Sequence, residues 1–292
     1  MNSRIFLPLV ATLVAASALP PFAQTSSMPR PDHIVIVIEE NHRAPQIVGN
    51  PAAPYINSLA NQGALFTQSF SLTHPSQPNY LQIFSGSNQG STDDAVPPGG
   101  APFTTANLGA ELLAKGLTFV GYSLNEPNVG FLGRSSGAYV RKHNPWCNWQ
   151  GTGSNQLPPA VNTPFTAFPA DYGTLPTISF VVPDMDYDMH DGSVASGDAW
   201  LKNNLDPYIQ WAKTHNSLFI LTFDEDDVTT TNQIATFFFG PMVKQGQYGE
   251  HITHHNLLRT LEDMYGLGHA GAAANAAPIV DVWNEQPLNA HE

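Results

Sequence analysis

His33-Ile34-Val35-Ile36-Val37-Ile38, closing on Glu39-Glu40-Asn41-His42, is the stretch that decides the fold. Five consecutive β-branched residues leave no face for water, the pattern of a strand buried on both sides of a parallel sheet. Residues 177–182 and 217–223 repeat that pattern, and a fourth run, 234–239, ends at Gly240-Pro241. Shorter strands are expected at 64–70 and 117–121. Helical spacing lies between them, at 54–62, 106–115 (closed by Gly116), 198–213 and 253–265 (closed by Gly266). Strands alternating with helices predict an α/β fold with a mostly parallel sheet.

The three strongest strands share one property: each ends in hard ligands. Glu39-Glu40-Asn41 closes the first, Asp184 to Asp191 follows the second, and Asp224-Glu225-Asp226-Asp227 the third. In an open α/β sheet the carboxyl edge is where ligands bind. Carboxylates gathered there repel unless cations or protons compensate. Oxygen donors suit Mg²⁺, Ca²⁺ or Mn²⁺, and carboxylate with imidazole also accepts Zn²⁺ or Fe. Taken singly, each acid is a solvated loop residue or a cap, and Asp226 and Asp227 read as surface charge. Three clusters at equivalent strand ends outweigh that reading, because only 12% of the chain is charged. Asp186-x-x-x-His190 offers two ligands four residues apart. A Ca²⁺ loop is its rival, although no Glu closes the stretch at position twelve. His254 and His255 open the last helix and can reach the same edge.

Thr73-His74-Pro75-Ser76-Gln77-Pro78-Asn79 precedes the apolar run Tyr80 to Phe84. Alone, Ser76 reads as a helix cap. Beside a metal cluster it becomes a nucleophile for phosphorus, its hydroxyl acidified and aligned. Helix N–H groups, metal and Asn79 would then hold the equatorial oxygens, and a histidine would protonate the leaving oxygen. No G-x-S-x-G elbow is present, which counts against an α/β-hydrolase esterase.

The 292 residues are 42% hydrophobic, enough for a sizeable core. A net charge of −13, from 24 acidic against 11 basic residues, argues against coating nucleic acid or being held by anionic lipid. Arg4, the apolar run 5–16 and the small residues Ala16-Ser17-Ala18 and Ala23 follow the order of a signal peptide. The expected layout is a signal peptide at 1–23, a mobile leader at 24–31, one catalytic domain at 32–286 and a tail at 287–292. The mature protein would be periplasmic or secreted, without stable membrane insertion. A single cysteine, Cys147, excludes an intrachain disulfide. Residues 123–176, rich in Gly, Pro, Asn and aromatics, read as a loop-rich excursion from the sheet; loops of that length are usually functional.

Five blocks together resemble a known family. They are Val37-Ile38-Glu39-Glu40-Asn41-His42, Thr73 to Tyr80, Tyr139 to Trp146, Asp188 to Ser193, and Thr222 to Asp227. Their order is similar to that of the bacterial phosphoesterase family of secreted acid phosphatases and phospholipases C, in the alkaline phosphatase-like superfamily. The nearest likeness is to small secreted acid phosphatases of the mycobacterial type, which act on phosphomonoesters including phosphoinositides. The resemblance runs from about His33 to Trp283. It implies a three-layer α/β/α sandwich, a nucleophile at Ser76 and divalent-metal ligation at Glu40, Asn41, Asp224 and Glu225. Asp186 and His190 resemble a second-site Asp-x-x-x-His, and His254 the late histidine. His190 and His254 are then ligands or phosphate-binding acids, and His143 and His74 candidate phosphate contacts. Three departures matter: Asn41 replaces a carboxylate, Asp224-Glu225 replaces Asp-His, and Val228-Thr229-Thr230 stands where relatives often have Gly and Ser. The first two put a second metal in doubt. The expected activity is hydrolysis of small phosphate monoesters through a phosphoserine. The alternatives are phosphodiester cleavage in the manner of a phospholipase C, or a non-enzymatic, acidic, Ca²⁺-binding exported protein.

Overall fold

The apolar run forms strand β1 (His33–Glu39), buried at every position after His33. The computed structural model describes residue 1 and residues 28–284, so the expected signal peptide, the leader before residue 28 and the tail lie outside the described residues. After β1 come helices α1 (Ala44–Ile47) and α2 (Pro54–Ala60), then strands β2 (Ala64–Phe66) and β3 (Ser69–Phe70). Helices α3 (Ser76–Ser85) and α4 (Leu108–Ala114) lead to β4 (Phe119–Ser123). Residues 124–177 carry β5 (Ser135–Ser136), β6 (Tyr139–Val140) and β7 (Asn162–Pro164). The chain then runs through β8 (Ile178–Val182), α5 (Val194–Ala212), β9 (Ser217–Phe223) and β10 (Thr236–Phe239). It closes with β11 (Gly246–Tyr248), β12 (Ile252–Thr253) and α6 (His254–Tyr265).

Eight strands form one sheet in the order β11-β2-β10-β9-β1-β8-β4-β7. Strand β10 is antiparallel to both neighbours, β9 and β2, and every other pairing is parallel. The expected strand at 64–70 divides in two: β2 joins the main sheet, while β3 pairs with β12. The loop-rich excursion returns to the sheet as its edge strand β7.

Strand alternation separates two cores. Ile34, Ile36 and Ile38 face a layer built with Tyr80, Leu81 and Phe84 of α3 and Leu257, Leu258 and Leu261 of α6. Val35 and Val37 face Ile56 and Leu59 of α2 and Leu201, Leu205 and Ile209 of α5. The result is the three-layer α/β/α sandwich. Among the described residues, no helix is long and apolar enough to cross a membrane.

Trp146 and Trp149 of the excursion are 1% and 0% exposed and belong to the α3-side core. Both tryptophans are therefore packing residues of the core. Trp146 lies against Gly121 of β4, where a methyl group would fall inside the indole, and its Nε1 donates to Asn162 Oδ1 at 2.6 Å. Overpacking of this kind costs about 1–3 kcal/mol. Gly121→Ala is expected to lower the unfolding free energy by that amount, measured by chemical denaturation.

Glu262 of α6 is fully buried; its Oε1 accepts the Ala270 N–H at 2.8 Å, while Oε2 has no partner. Burial, reinforced by Glu111, pushes its carboxyl up to about 8. The folded state therefore binds a proton that the unfolded chain releases near pH 4.5. Stability from this group is complete at lower pH and is lost as pH rises toward 8. Glu262→Gln should raise the melting temperature relative to wild type at pH 8.5 and give little gain at pH 4, by calorimetry at both (chosen on either side of that window).

Candidate active site

The three acid-tipped strands are neighbours, β9-β1-β8, so their carboxyl ends open on one patch. Register keeps them level: Glu39 pairs with Phe223, and Val37 with Val181. Two backbone bonds then stitch the loops together. Asp224 N–H donates to Glu39 O at 3.0 Å, and Glu40 N–H donates to Asp188 O at 2.7 Å. Strand parity separates the two glutamates. Glu40 follows Ile38 toward the α3 layer, whereas Glu39 feels Asp198 of α5 on the other side. Only Glu40 reaches Ser76.

Ser76 is the first residue of α3, and Pro75 takes the cap position, so the plain capping role is not the one Ser76 plays. Its Oγ lies 3.0 Å from Glu40 Oε2 and 3.2 Å from Glu225 Oε1. A hydroxyl has one proton, so it donates to one carboxylate and accepts from the other only if that one is protonated. Burial supplies the reason for such a proton. It raises Glu40 and Asp224 well above the carboxylate range, with neighbouring acids adding to the effect, and lifts Glu225 to about 7.

The predicted residues divide into those that meet Ser76 and those that stand behind it. His143 Nε2 lies 3.1 Å from Glu40 Oε1, and Nδ1 lies 3.2 Å from Asp188 Oδ2. Its ring stacks on Tyr80, with centroids 5.1 Å apart. Burial holds this imidazole well below its ordinary pKa. His190 sits at the rim, Nδ1 bonded to Asp191 Oδ1 at 2.8 Å, its ring 6.1 Å from that of His143. His74 Nε2 donates to the Thr229 carbonyl at 3.1 Å, which leaves Nδ1 to share a proton with Glu225 Oε2 at 2.6 Å. His74 thus orients Glu225.

Asn79, expected at the phosphate, is spent locally. Its Nδ2 donates to Thr73 O at 2.8 Å, and its Oδ1 accepts from Thr73 N–H at 3.1 Å. Its Nδ2 also lies 3.4 Å from both the Pro75 carbonyl and Glu225 Oε2. His254, expected among the catalytic histidines, is buried behind the site: Nε2 donates to the Asp224 carbonyl at 2.7 Å. Ser71 Oγ donates to the same oxygen. Burial pushes His254 down to about 4, so it is a neutral prop for the Asp224 loop. Asn41 follows Glu40 and is half-buried, with no side-chain hydrogen bond among the described residues.

Asp186 is exposed, whereas Asp184 and Asp188 of the same stretch are buried, and it is Asp188 that meets His143. Asp188 was not among the expected ligands, although the Asp-x-Asp-x-Asp alternation of residues 184–188 carries a signal for it. Asp226, read as surface charge, is fully buried and accepts from the Thr229 N–H at 2.8 Å; Asp227 is exposed as expected. Val228 takes φ +70°, the left-handed region that a glycine occupies without strain.

Glu40 Oε1 and both Asp224 carboxylate oxygens are buried without a hydrogen-bond partner. Orphaned, desolvated hard donors of this kind fit a divalent cation, whose charge would offset the burial of the acids. Glu40 turns toward Ser76 and His143, and Glu225 toward Ser76 and His74. Among the described residues, no group of three or more His, Cys, Asp or Glu converges as a ready metal site. The donor chemistry fits one cation held by Glu40, Asn41, Asp224 and Glu225.

A sequence model of the phosphoesterase family matches residues 49–268. The chain is 49% identical to the phosphatidylinositol-3-phosphatase of Mycobacterium tuberculosis, over 93% of this chain and 86% of that protein. It is 28% identical to the phosphate-repressible acid phosphatase of Penicillium chrysogenum, over 74% of this chain and 55% of that protein, about half its length. Among solved structures, a Vibrio parahaemolyticus protein of the alkaline phosphatase superfamily superposes with a TM-score of 0.59 at 12% identity, covering 84% of this chain and 69% of the other. That last likeness concerns the fold alone. With its acid-tipped sheet edge and its match over most of the described residues, the chain belongs to the phosphoesterase family.

Proposed function

We propose that this phosphoric monoester hydrolase is an exported, metal-dependent acid phosphatase that works through a phosphoserine at Ser76, with phosphoinositides within its substrate range. The observation that carries the reading is the placement of Ser76 Oγ between Glu40 and Glu225 at the start of a helix. The phosphatidylinositol-3-phosphatase relative supports the substrate class. Export is supported by Arg4 and the apolar run 5–16.

In the proposed course, one of the two flanking carboxylates takes the Ser76 proton as Oγ attacks phosphorus. The ester oxygen leaves with a proton from His190, a reading supported by its half-exposed position beside Asp191 and His143. Water then cleaves the phosphoseryl bond, and the proton passes back through the same groups. His143 and Asp188 hold Glu40 in place, and His74 and Asn79 hold Glu225. Glu40, Asn41, Asp224 and Glu225 would hold a divalent cation, which would supply positive charge to acidify the hydroxyl and stabilise phosphoryl oxygens.

Ser76→Ala should cut release of phosphate from p-nitrophenyl phosphate by about 1000-fold or more while the protein stays folded. Equal turnover would refute the nucleophile. The monoester should be turned over faster than bis(p-nitrophenyl) phosphate, and the reverse order would favour the phospholipase C-like alternative. Supplying the bound divalent ion at about 100 times its Kd should stabilise the wild type by about 2.7 kcal/mol. Thermal unfolding should show that gain largely lost in Asp224→Asn.

A further inference from the structure

One cation at the site has no part in that chemistry. Lys142 precedes His143, and its Nζ donates to Asp94 Oδ2 at 2.9 Å. The other oxygen, Asp94 Oδ1, accepts the backbone N–H of Gln77, the residue after the nucleophile, at 3.0 Å. An oxyanion of the protein's own therefore sits between an ammonium group and a helix-opening N–H, one residue from Ser76. Two donors converging on an oxyanion are what a phosphate requires.

Three observations separate this arrangement from a simple helix cap. Lys142 is mostly shielded and interacts favourably with four site carboxylates, Glu40, Asp188, Asp224 and Glu225. Although burial opposes its charge, the Asp94 bond and these acids hold its pKa above the ordinary value. His143 Nε2, next along the chain, is buried 3.1 Å from Glu40 Oε1 but makes no hydrogen bond, so it too is a donor site left open beside the acids. The Asp94 segment, finally, is clipped in place independently of Asp94. Gln77 Nε2 donates to Asp93 O at 3.1 Å and to Ala95 O at 2.7 Å, so the loop does not need the carboxylate to stay on α3.

The geometry points to Lys142 Nζ and the Gln77 N–H as the donors that hold the substrate's phosphate oxygens, with Asp94 as an internal placeholder that a phosphate monoester dianion displaces. This assignment rests on the phosphatase reading and names its specificity-determining groups. No bond is made or broken in the exchange: one oxyanion replaces another on the same donors, and the side chain of Asp94 rotates toward solvent. Affinity for phosphate is then reduced by the fraction of time that Asp94 occupies the cradle. Lys142 selects a dianionic monoester over a diester, which carries one charge fewer.

The test is calorimetric titration of inorganic phosphate into the full chain loaded with its divalent ion, with the KM for p-nitrophenyl phosphate as the second arm. Asp94→Asn keeps an acceptor for Gln77 N–H and removes the competing charge, so Kd and KM should both fall about three- to tenfold. Lys142→Met should raise both by about tenfold or more. Unchanged or weaker phosphate binding in Asp94→Asn overturns the placeholder role, because removing a competitor from the donors must tighten binding of the ligand it excludes. Wild-type Kd in Lys142→Met overturns the cradle. Should Asp94→Asn fail to fold, Asp94→Ser is read in the same way. The titration does not depend on turnover, so a failure of the Ser76 mechanism would show in Ser76→Ala and leave this result separately readable.

Discussion

Everything at this site follows from placing Glu40, Asp188, Asp224 and Glu225 in a dry pocket around one serine hydroxyl. Ionised carboxylates so close together and so far from water cannot all be tolerated without compensation. The protein answers with shared protons, at Ser76, at His74 and between His143 Nδ1 and Asp188, and with oxygen donors left open for a cation. The sheet makes the arrangement possible. Only strands locked in register can hold several repelling tips level, and the bonds from Asp224 N–H to Glu39 O and from Glu40 N–H to Asp188 O complete that lock. A loop-built site would relax by swinging the acids into solvent.

The supporting shell shows how much of the fold serves this constraint. His254, Ser71, Asn79 and His74 are polar groups that touch the backbone or the far side of the acids. Each fixes a rotamer or a carbonyl, and none is free to chase a substrate. Preorganisation of this kind has a stability cost that the two apolar cores offset. The same division explains the placement of the tryptophans, which strengthen the edge of the sheet at β4 and β7 and leave the rim to polar residues.

Much of this was legible in the sequence, because buried parallel strands announce themselves as unbroken apolar runs. Strand β9 was expected at the bounds it takes, and β1 and β8 within a residue. The Glu40, Ser76, Asp224 and Glu225 assembly was legible because each lies immediately beyond a recognisable element. Other residues were not. Asp186 and Asp188 differ by two positions in an irregular turn, where no period says which carboxylate points inward. Asp226 looks like one of four surface acids until the hydrogen bonds of Thr229 bury it. His254 opens a helix aimed at the site, yet whether it reaches substrate or only the back of a loop depends on a few ångströms that no pattern carries. The antiparallel direction of β10 depends on where its connection crosses, and composition does not encode it.

The central claim is that Ser76 takes the phosphoryl group covalently. Rapid acid quench of the enzyme during turnover of a phosphate monoester, followed by mass analysis of its peptides, reads that claim directly. The account predicts one added phosphoryl group on the peptide carrying Ser76, absent when substrate is withheld. Full turnover with that peptide unmodified, or with the phosphoryl group on a histidine, would contradict it.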